Sequence, residues 1–267
     1  MKAQIVLTVN ESKRLIAKAI VSLPEIKNAL EKGKILLKGG TTVSAISEEL
    51  VGIPLRICGR ISKKGMVTSK ITSPKKYPHS ILIERGKPNN IDDNIIEVVK
   101  RFGRGDIVII SGNALDFQKN VGIFAGSVSG GKPGMAVSGM LSEGAEVIIP
   151  IGLEKLIPGT IRDASIMAGR KDADVSYGMA VGLIPLYGKI ITEKNALEIL
   201  ANIKCTIIGK GGIMGAEGST IMVVEGLDKE VEKILKAVEE VRGANISGQK
   251  ESLEEEIDMG IRMRNNK

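Results

Sequence analysis

Lys38-Gly39-Gly40-Thr41-Thr42 is the stretch of this chain whose residue types and spacing best suit chemistry on a small anion. Two glycines let a ligand approach the backbone closely, and Thr41, Thr42 and Ser44 supply hydroxyl donors. If a helix begins at Thr42, its first N–H groups and positive dipole end face a phosphate or carboxylate. The spacing is neither that of a Walker loop nor that of the full dinucleotide fingerprint. A second stretch, Ser111-Gly112-Asn113-Ala114-Leu115-Asp116, offers polar groups among small residues. Asp116 is its candidate general base, a carboxylate whose pKa a glycine-lined crevice would raise. A third, Gly126-Ser127-Val128-Ser129-Gly130-Gly131-Lys132, adds an ammonium group beside two glycines.

These stretches need elements to position them. Ile35-Leu36-Leu37 predicts a short buried strand, and Val43, Ile46 and Leu50 predict a helix from Thr42 to Leu50. Upstream, Leu15, Ile16, Ala19, Ile20 and Leu23 share one face of a helix capped by Asn10, broken at Pro24 and resumed until Gly33. Leu55 and Ile57 fall on one face of an extended segment, and Ile81 to Ile83 is a further strand. A helix from Ile91 to Phe102 leads to the apolar strand Ile107 to Ile110, and another strand runs from Ala145 to Ile151. Helix and strand thus alternate, which predicts an α/β fold with a mostly parallel sheet flanked by helices and ligands at the carboxyl ends of its strands.

From about Asp174 the pattern changes to strands at Leu183 to Ile191, Cys205 to Ile208 and Ile221 to Val224. Helices are expected at Glu193 to Ile203 and Asp228 to Val241. Residues 1–172 are therefore expected to form an α/β ligand-binding domain, and 173–267 a smaller C-terminal α+β unit ending in a charged, solvated tail. Within that unit Gly209 to Thr220 carries more glycine than a hairpin needs, and Lys210, Ser219 and Thr220 are candidates to cover a second anionic group. Exposed strand edges there are compatible with a homo-oligomer.

Composition narrows the function. Cys58, Cys205 and a single histidine, His79, give no zinc or disulfide pattern; both thiols are expected to be buried, and His79 falls in a segment expected to be exposed. No metal or cofactor is indicated. The chain start lacks the apolar core of a signal peptide and no apolar run reaches membrane-spanning length, so a cytoplasmic location without membrane association is expected. The net charge of +7 favours anionic partners. Basic and acidic residues are interspersed, however, and aromatic residues make up only 2%, which disfavours nucleic acid as a partner.

The run Gly33 to Val43, with Leu37-Lys38-Gly39-Gly40-Thr41-Thr42 at its centre, resembles the early strand and phosphate loop of the superfamily of ribose-5-phosphate isomerases, glucosamine-6-phosphate deaminases and CoA-transferases. Asp106 to Asp116 is similar to a strand and loop that line the site in those proteins. The resemblance covers about the first 150 residues and implies a Rossmann-like fold binding a phosphorylated or other anionic metabolite. Departures limit what carries over. In the isomerases the second loop is acidic and a lysine precedes the glycine cluster; here the acidic positions reduce to Asn113 and Asp116, and Lys132 follows the glycines. The CoA-transferase nucleophile is a glutamate, and Glu143 and Glu217 stand among glycines where a turn residue is the favoured reading. Arg162, Arg170 and Lys171 are read either as crevice residues or as a solvated helix face. The expected function is an isomerase- or transferase-like enzyme. The alternatives are a non-catalytic binding or sensor protein on the same scaffold and, with less support, an RNA-binding protein using Lys63-Lys64 and Lys75-Lys76.

Overall fold

The computed structural model describes residues 1–70 and 77–263, so Lys75, Lys76 and Arg264 lie outside the described residues. Thr8 ends β1 (Lys2–Leu7) and starts α1 (Val9–Ser22): Glu11 N–H donates to its hydroxyl, and Thr8 N–H donates to the Glu11 carboxylate at 2.7 Å. This reciprocal cap displaces Asn10, the cap expected from sequence, because only Thr8 has an acidic partner three residues on. Pro24 then opens α2 (Pro24–Lys32), which stops at Gly33 before β2 (Lys34–Lys38) and α3 (Thr41–Val51).

Two hairpins follow, β3 (Gly59–Ser62) with β4 (Gly65–Ser69), and β5 (Ser80–Glu84) with β6 (Lys87–Asn90). Leu55 and Ile57 are both buried, although the strand begins only at Gly59. The expected helix from Ile91 shrinks to α4 (Ile95–Val99), which leads into β7 (Ile107–Ile110). The hairpin β8 (Ala114–Leu115) and β9 (Val121–Ala125) precedes α5 (Gly131–Met135), α6 (Val137–Ser142) and β10 (Glu146–Pro150). After α7 (Ile161–Met167) and β11 (Val175–Tyr177), the expected single strand Leu183 to Ile191 divides into β12 (Gly182–Leu186) and β13 (Lys189–Ile191), in different sheets. The close approach of Gly188 to the Val147 carbonyl marks the step between them. The chain continues through α8 (Glu193–Leu200), β14 (Ile203–Gly211), β15 (Ser219–Gly226) and α9 (Asp228–Glu240) to α10 (Lys250–Glu254), β16 (Glu256–Ile257) and β17 (Ile261–Met263).

The central sheet has the order β13-β10-β7-β2-β5-β6. Its first four strands are parallel, but β5 runs against β2 and β6 against β5. The sheet is therefore mixed, not mostly parallel as the sequence predicts. After α3 the β3–β4 excursion returns the chain beside the carboxyl end of β2, with Ser80 opposite Lys38, so β5 can only run back down. The two-residue turn Arg85-Gly86, both with positive φ, then permits only an antiparallel β6.

Helices cover both faces. One apolar cluster joins Ile35, Leu37, Ile107 and Ile109 to Leu15, Ile16 and Ile46, and extends to Met222, Val224 and Ile234. The other joins Leu36, Val108 and Ile110 to Ile95, Val99 and Met140. β1 pairs with β15, and β15 with β14, so the first strand of the chain completes a sheet of its last third. The tail also departs from the solvated end expected. Gln249 N–H donates to the Leu55 carbonyl at 2.8 Å, Ile57 N–H to Ser252 Oγ at 2.9 Å, and β16 pairs with β4. No described helix is long and apolar enough to cross a membrane.

Candidate functional site

Parallel strands bring their carboxyl ends to one edge, and the helices that follow start there. At this edge β2 ends at Lys38, β7 at Ile110 before Ser111, β10 at Pro150, and β13 at Ile191 before α8. Gly40 is the N-cap of α3 and no side chain caps the helix, so its first N–H groups are left for a ligand. Thr42 is 1% exposed and its Oγ1 has no hydrogen-bond partner among the described residues. A Cβ on Gly40 would lie 3.8 Å from that of Ser111, so the two sequence-predicted loops meet across the edge. Ser111 itself donates to the Pro150 carbonyl at 2.7 Å, fastening β7 to β10.

Three lysines border this frame. Lys155, just past the end of β10, donates to the Gly112 carbonyl at 2.8 Å. Burial lowers its pKa from 10.5 to about 8, with Glu154 pulling it up and Lys13 down. Lys38 falls to about 8 by burial, against a smaller opposing pull from Cys58, and burial lowers Lys13 as well. Among the described residues no carboxylate lies within 4.0 Å of any of these three ammonium groups. Glu154 stands near Lys13 and Lys155, and both its carboxylate oxygens are buried without a hydrogen-bond partner among the described residues. Glu193, at the start of α8, accepts from Thr220 Oγ1 at 2.9 Å and from Leu153 N–H at 3.0 Å, and burial raises its pKa. Lys210 is lowered by burial while Glu193 and Glu154 draw it up, and Gly218 packs on Val9 and Glu154. The base of the Gly209–Thr220 loop thus reaches the same edge.

Other predicted residues do different work. Asp116 is 2% exposed; its carboxylate accepts from Asn120 N–H at 2.8 Å and from Ile161 N–H at 2.9 Å. Burial would raise its pKa, but these bonds outweigh it and the pKa is lowered, opposite to the expected sign. Asn113 accepts from Phe124 N–H at 3.0 Å and so pins the β8–β9 hairpin. Gly130 and Gly131 have positive φ before α5, and Lys132, half exposed, pairs with Asp93 at 3.2 Å rather than with the glycine loop of β2. Glu143 and Glu217 are exposed, the latter accepting from Gly215 N–H, as turn residues would. Arg162 is 84% exposed.

Comparison with protein-family models, with curated proteins and with solved structures gave no match. Two residues that sequence reasoning set aside stand beside the β2 loop. Cys58, expected to be a buried thiol, is only half-buried, with Sγ 3.1 Å from Arg56 Nη1 and 3.5 Å from His79 Nδ1. His79, expected to be exposed, packs so closely on Gly39 that a Cβ there would overlap its ring. The available signal was the alternation: Leu55 and Ile57 facing inward put Arg56 and Cys58 together on the other face. Asp92 fixes this corner, accepting from His79 and Ser80 N–H and pairing with Arg56 at 2.9 Å. By contrast, the depression lined by Glu25, Asn28, Asp106 and Glu146 lies at the opposite end of the strands, where Lys34 already neutralises Asp106 at 2.7 Å. Among the described residues no three His, Cys, Asp or Glu side chains are grouped to hold a metal ion.

Proposed function

We propose that the chain is an enzyme acting on a small phosphorylated or other anionic metabolite, bound where α3 begins beside Lys38, at the edge that Lys13 and Lys155 also border. The observation that carries this reading is three partly buried lysines at one edge, none with a carboxylate within ion-pairing distance among the described residues. Burying a cation is costly unless an anion meets it; Glu154 lies near two of the three, and an anionic ligand fits the charge that remains. The uncapped start of α3 and the unpartnered Thr42 hydroxyl are the neutral donors such a ligand would use. The two segments that resemble the isomerase, deaminase and CoA-transferase superfamily end the neighbouring strands β2 and β7, which supports the same reading. The structural engagement of Asp116 favours a second reading, in which the same site binds its ligand without an acid–base step through that residue.

Thermal-shift screening of phosphorylated sugars, nucleotides and CoA esters tests the proposal, since a ligand that binds only the native state raises its apparent stability. A concentration-dependent rise is expected, weakened in Lys155→Met and in Gly40→Val, whose branched carbons would crowd the gap to Ser111. No shift with any anion, or an equal shift in both variants, would overturn it.

A further inference from the structure

The Cys58 corner is built more firmly than an incidental surface thiol requires. Its chain is tied by Gln249 N–H to the Leu55 carbonyl, by Ile57 N–H to Ser252 Oγ and by Ser69 N–H to the Cys58 carbonyl at 2.9 Å. His79 Nδ1 lies 3.0 Å from the Arg56 carbonyl, which can only accept, so Nδ1 carries the hydrogen. The ring therefore acts as a donor at this corner instead of removing the thiol proton through Nδ1, and the Arg56 guanidinium is a second donor to sulfur. Burial works against a thiolate here, but His79, Arg56 and Lys38 outweigh it and bring the pKa to about 7. Burial pushes Cys205 up to about 11, an internal contrast within one chain.

An independent feature points to a ligand. Ser69 and Ser80 are 1% and 0% exposed, and neither hydroxyl has a hydrogen-bond partner among the described residues. Gly59 pairs with Thr68, so the next step of that ladder sets Ser69 opposite Cys58, and Ser80 is opposite Lys38 across β2 and β5. Opposed residues of antiparallel strands share a face. Each unpartnered hydroxyl thus accompanies one of the two reactive groups, the thiol or the amine.

Resting on the anion site proposed above, we infer that Cys58 is the covalent nucleophile of this site and that its substrate is an acyl phosphate. The phosphate would sit at the start of α3, one residue from Gly39 and the His79 ring. Sulfur's electron pair forms the C–S bond while the carbonyl π pair moves onto oxygen, where the ammonium of Lys38 and the unpartnered hydroxyls are the available donors. As the carbonyl re-forms, the carbon–oxygen bond to phosphate breaks and phosphate leaves with its electron pair, needing no proton. The S-acyl group then passes to water or another nucleophile, which gives up a proton to solvent, and the C–S pair returns to sulfur.

Acetyl phosphate with the full chain, read by intact mass and peptide mapping, tests this. One hydroxylamine-labile acetyl group is expected on Cys58 and none on Cys205, with loss in Cys58→Ser and slowing by inorganic phosphate. In parallel, iodoacetamide should alkylate Cys58 of the unmodified chain with a rate inflection near pH 7. Absence of the acetyl adduct while phosphate still raises thermal stability would overturn the nucleophile. So would an inflection in the ordinary thiol range. An adduct on Cys58 that phosphate does not slow would instead support the nucleophile and overturn the anion site.

Discussion

Replacing Lys155 by methionine removes a charge that the fold holds at a cost. The side chain keeps similar length and loses only the ammonium group and its bond to the Gly112 carbonyl. The fall in pKa from 10.5 to about 8 means that the charged form is disfavoured in the folded chain by up to about 3 kcal/mol, at about 1.4 kcal/mol per unit. The sign follows from proton counts. Below pH 8 both folded and unfolded chains hold the proton and the penalty is full. Between pH 8 and 10.5 the unfolded chain binds more protons, so stability from this group rises with pH. Methionine has no such dependence. The difference in unfolding free energy between wild type and Lys155→Met should therefore move by about 2 kcal/mol in favour of wild type from pH 7 to pH 9.5. Urea unfolding followed by circular dichroism measures it, the chain having no tryptophan to report by fluorescence. Lys38 and Cys58 titrate in or near the same window but are present in both proteins, and their contributions cancel to the extent that the sites are independent. A difference that stays constant with pH, or moves the other way, would refute the claim that burial of the Lys155 cation outweighs the pull of Glu154.

Asp92→Asn leaves Arg56 buried without its counter-charge, the pair being 13% and 6% exposed, and should cost about 3–5 kcal/mol in chemical denaturation; a loss below about 1 would show the pair to be dispensable. Gly39→Ala drives a Cβ into the ring and carbonyl of His79, so a loss of about 1–3 kcal/mol is expected. The same variant should raise the pH at which iodoacetamide alkylates Cys58, and an unchanged profile would separate His79 from the thiol. Asp116→Asn cannot accept all the N–H donors that the carboxylate holds; it should lower stability by about 1–3 kcal/mol yet leave phosphate-induced thermal shifts intact, and loss of those shifts at retained stability would return Asp116 to the ligand site.

What could be seen in the sequence was what local pattern determines. Ile35-Leu36-Leu37 and Ile107 to Ile110 are continuous apolar runs, and strands covered on both faces follow from them directly. The start of α3 was visible in Gly39-Gly40 and the apolar spacing after it, whereas its lack of a side-chain cap was not. The direction of the Asp116 pKa shift was misjudged because one of its partners, Ile161 N–H, lies 45 residues away and leaves no trace beside it. The tail was misjudged for the same reason: its charges suggested solvent, while Ser247, Gln249 and Ser252 bond to Ser44, Leu55 and Ile57.

The deepest gap concerns charge. A net +7 spread along the chain gave only a weak preference for anions, because counting charges ignores where the fold places them. Lys13, Lys38 and Lys155 lie far apart in sequence, two of them where β2 and β10 end and one on α1, which packs against α3 and α8. Only the parallel arrangement of β2, β7 and β10 makes them neighbours of one edge, and only burial distinguishes them from the many lysines that remain in water. Arg56, Cys58 and His79 meet for a related reason, the β3–β4 excursion returning the chain to the end of β2 at Ser80. The antiparallel β5 that departs from the expected sheet is thus what carries His79 against Gly39, so the deviation in topology and the thiol beside the glycine loop have one cause.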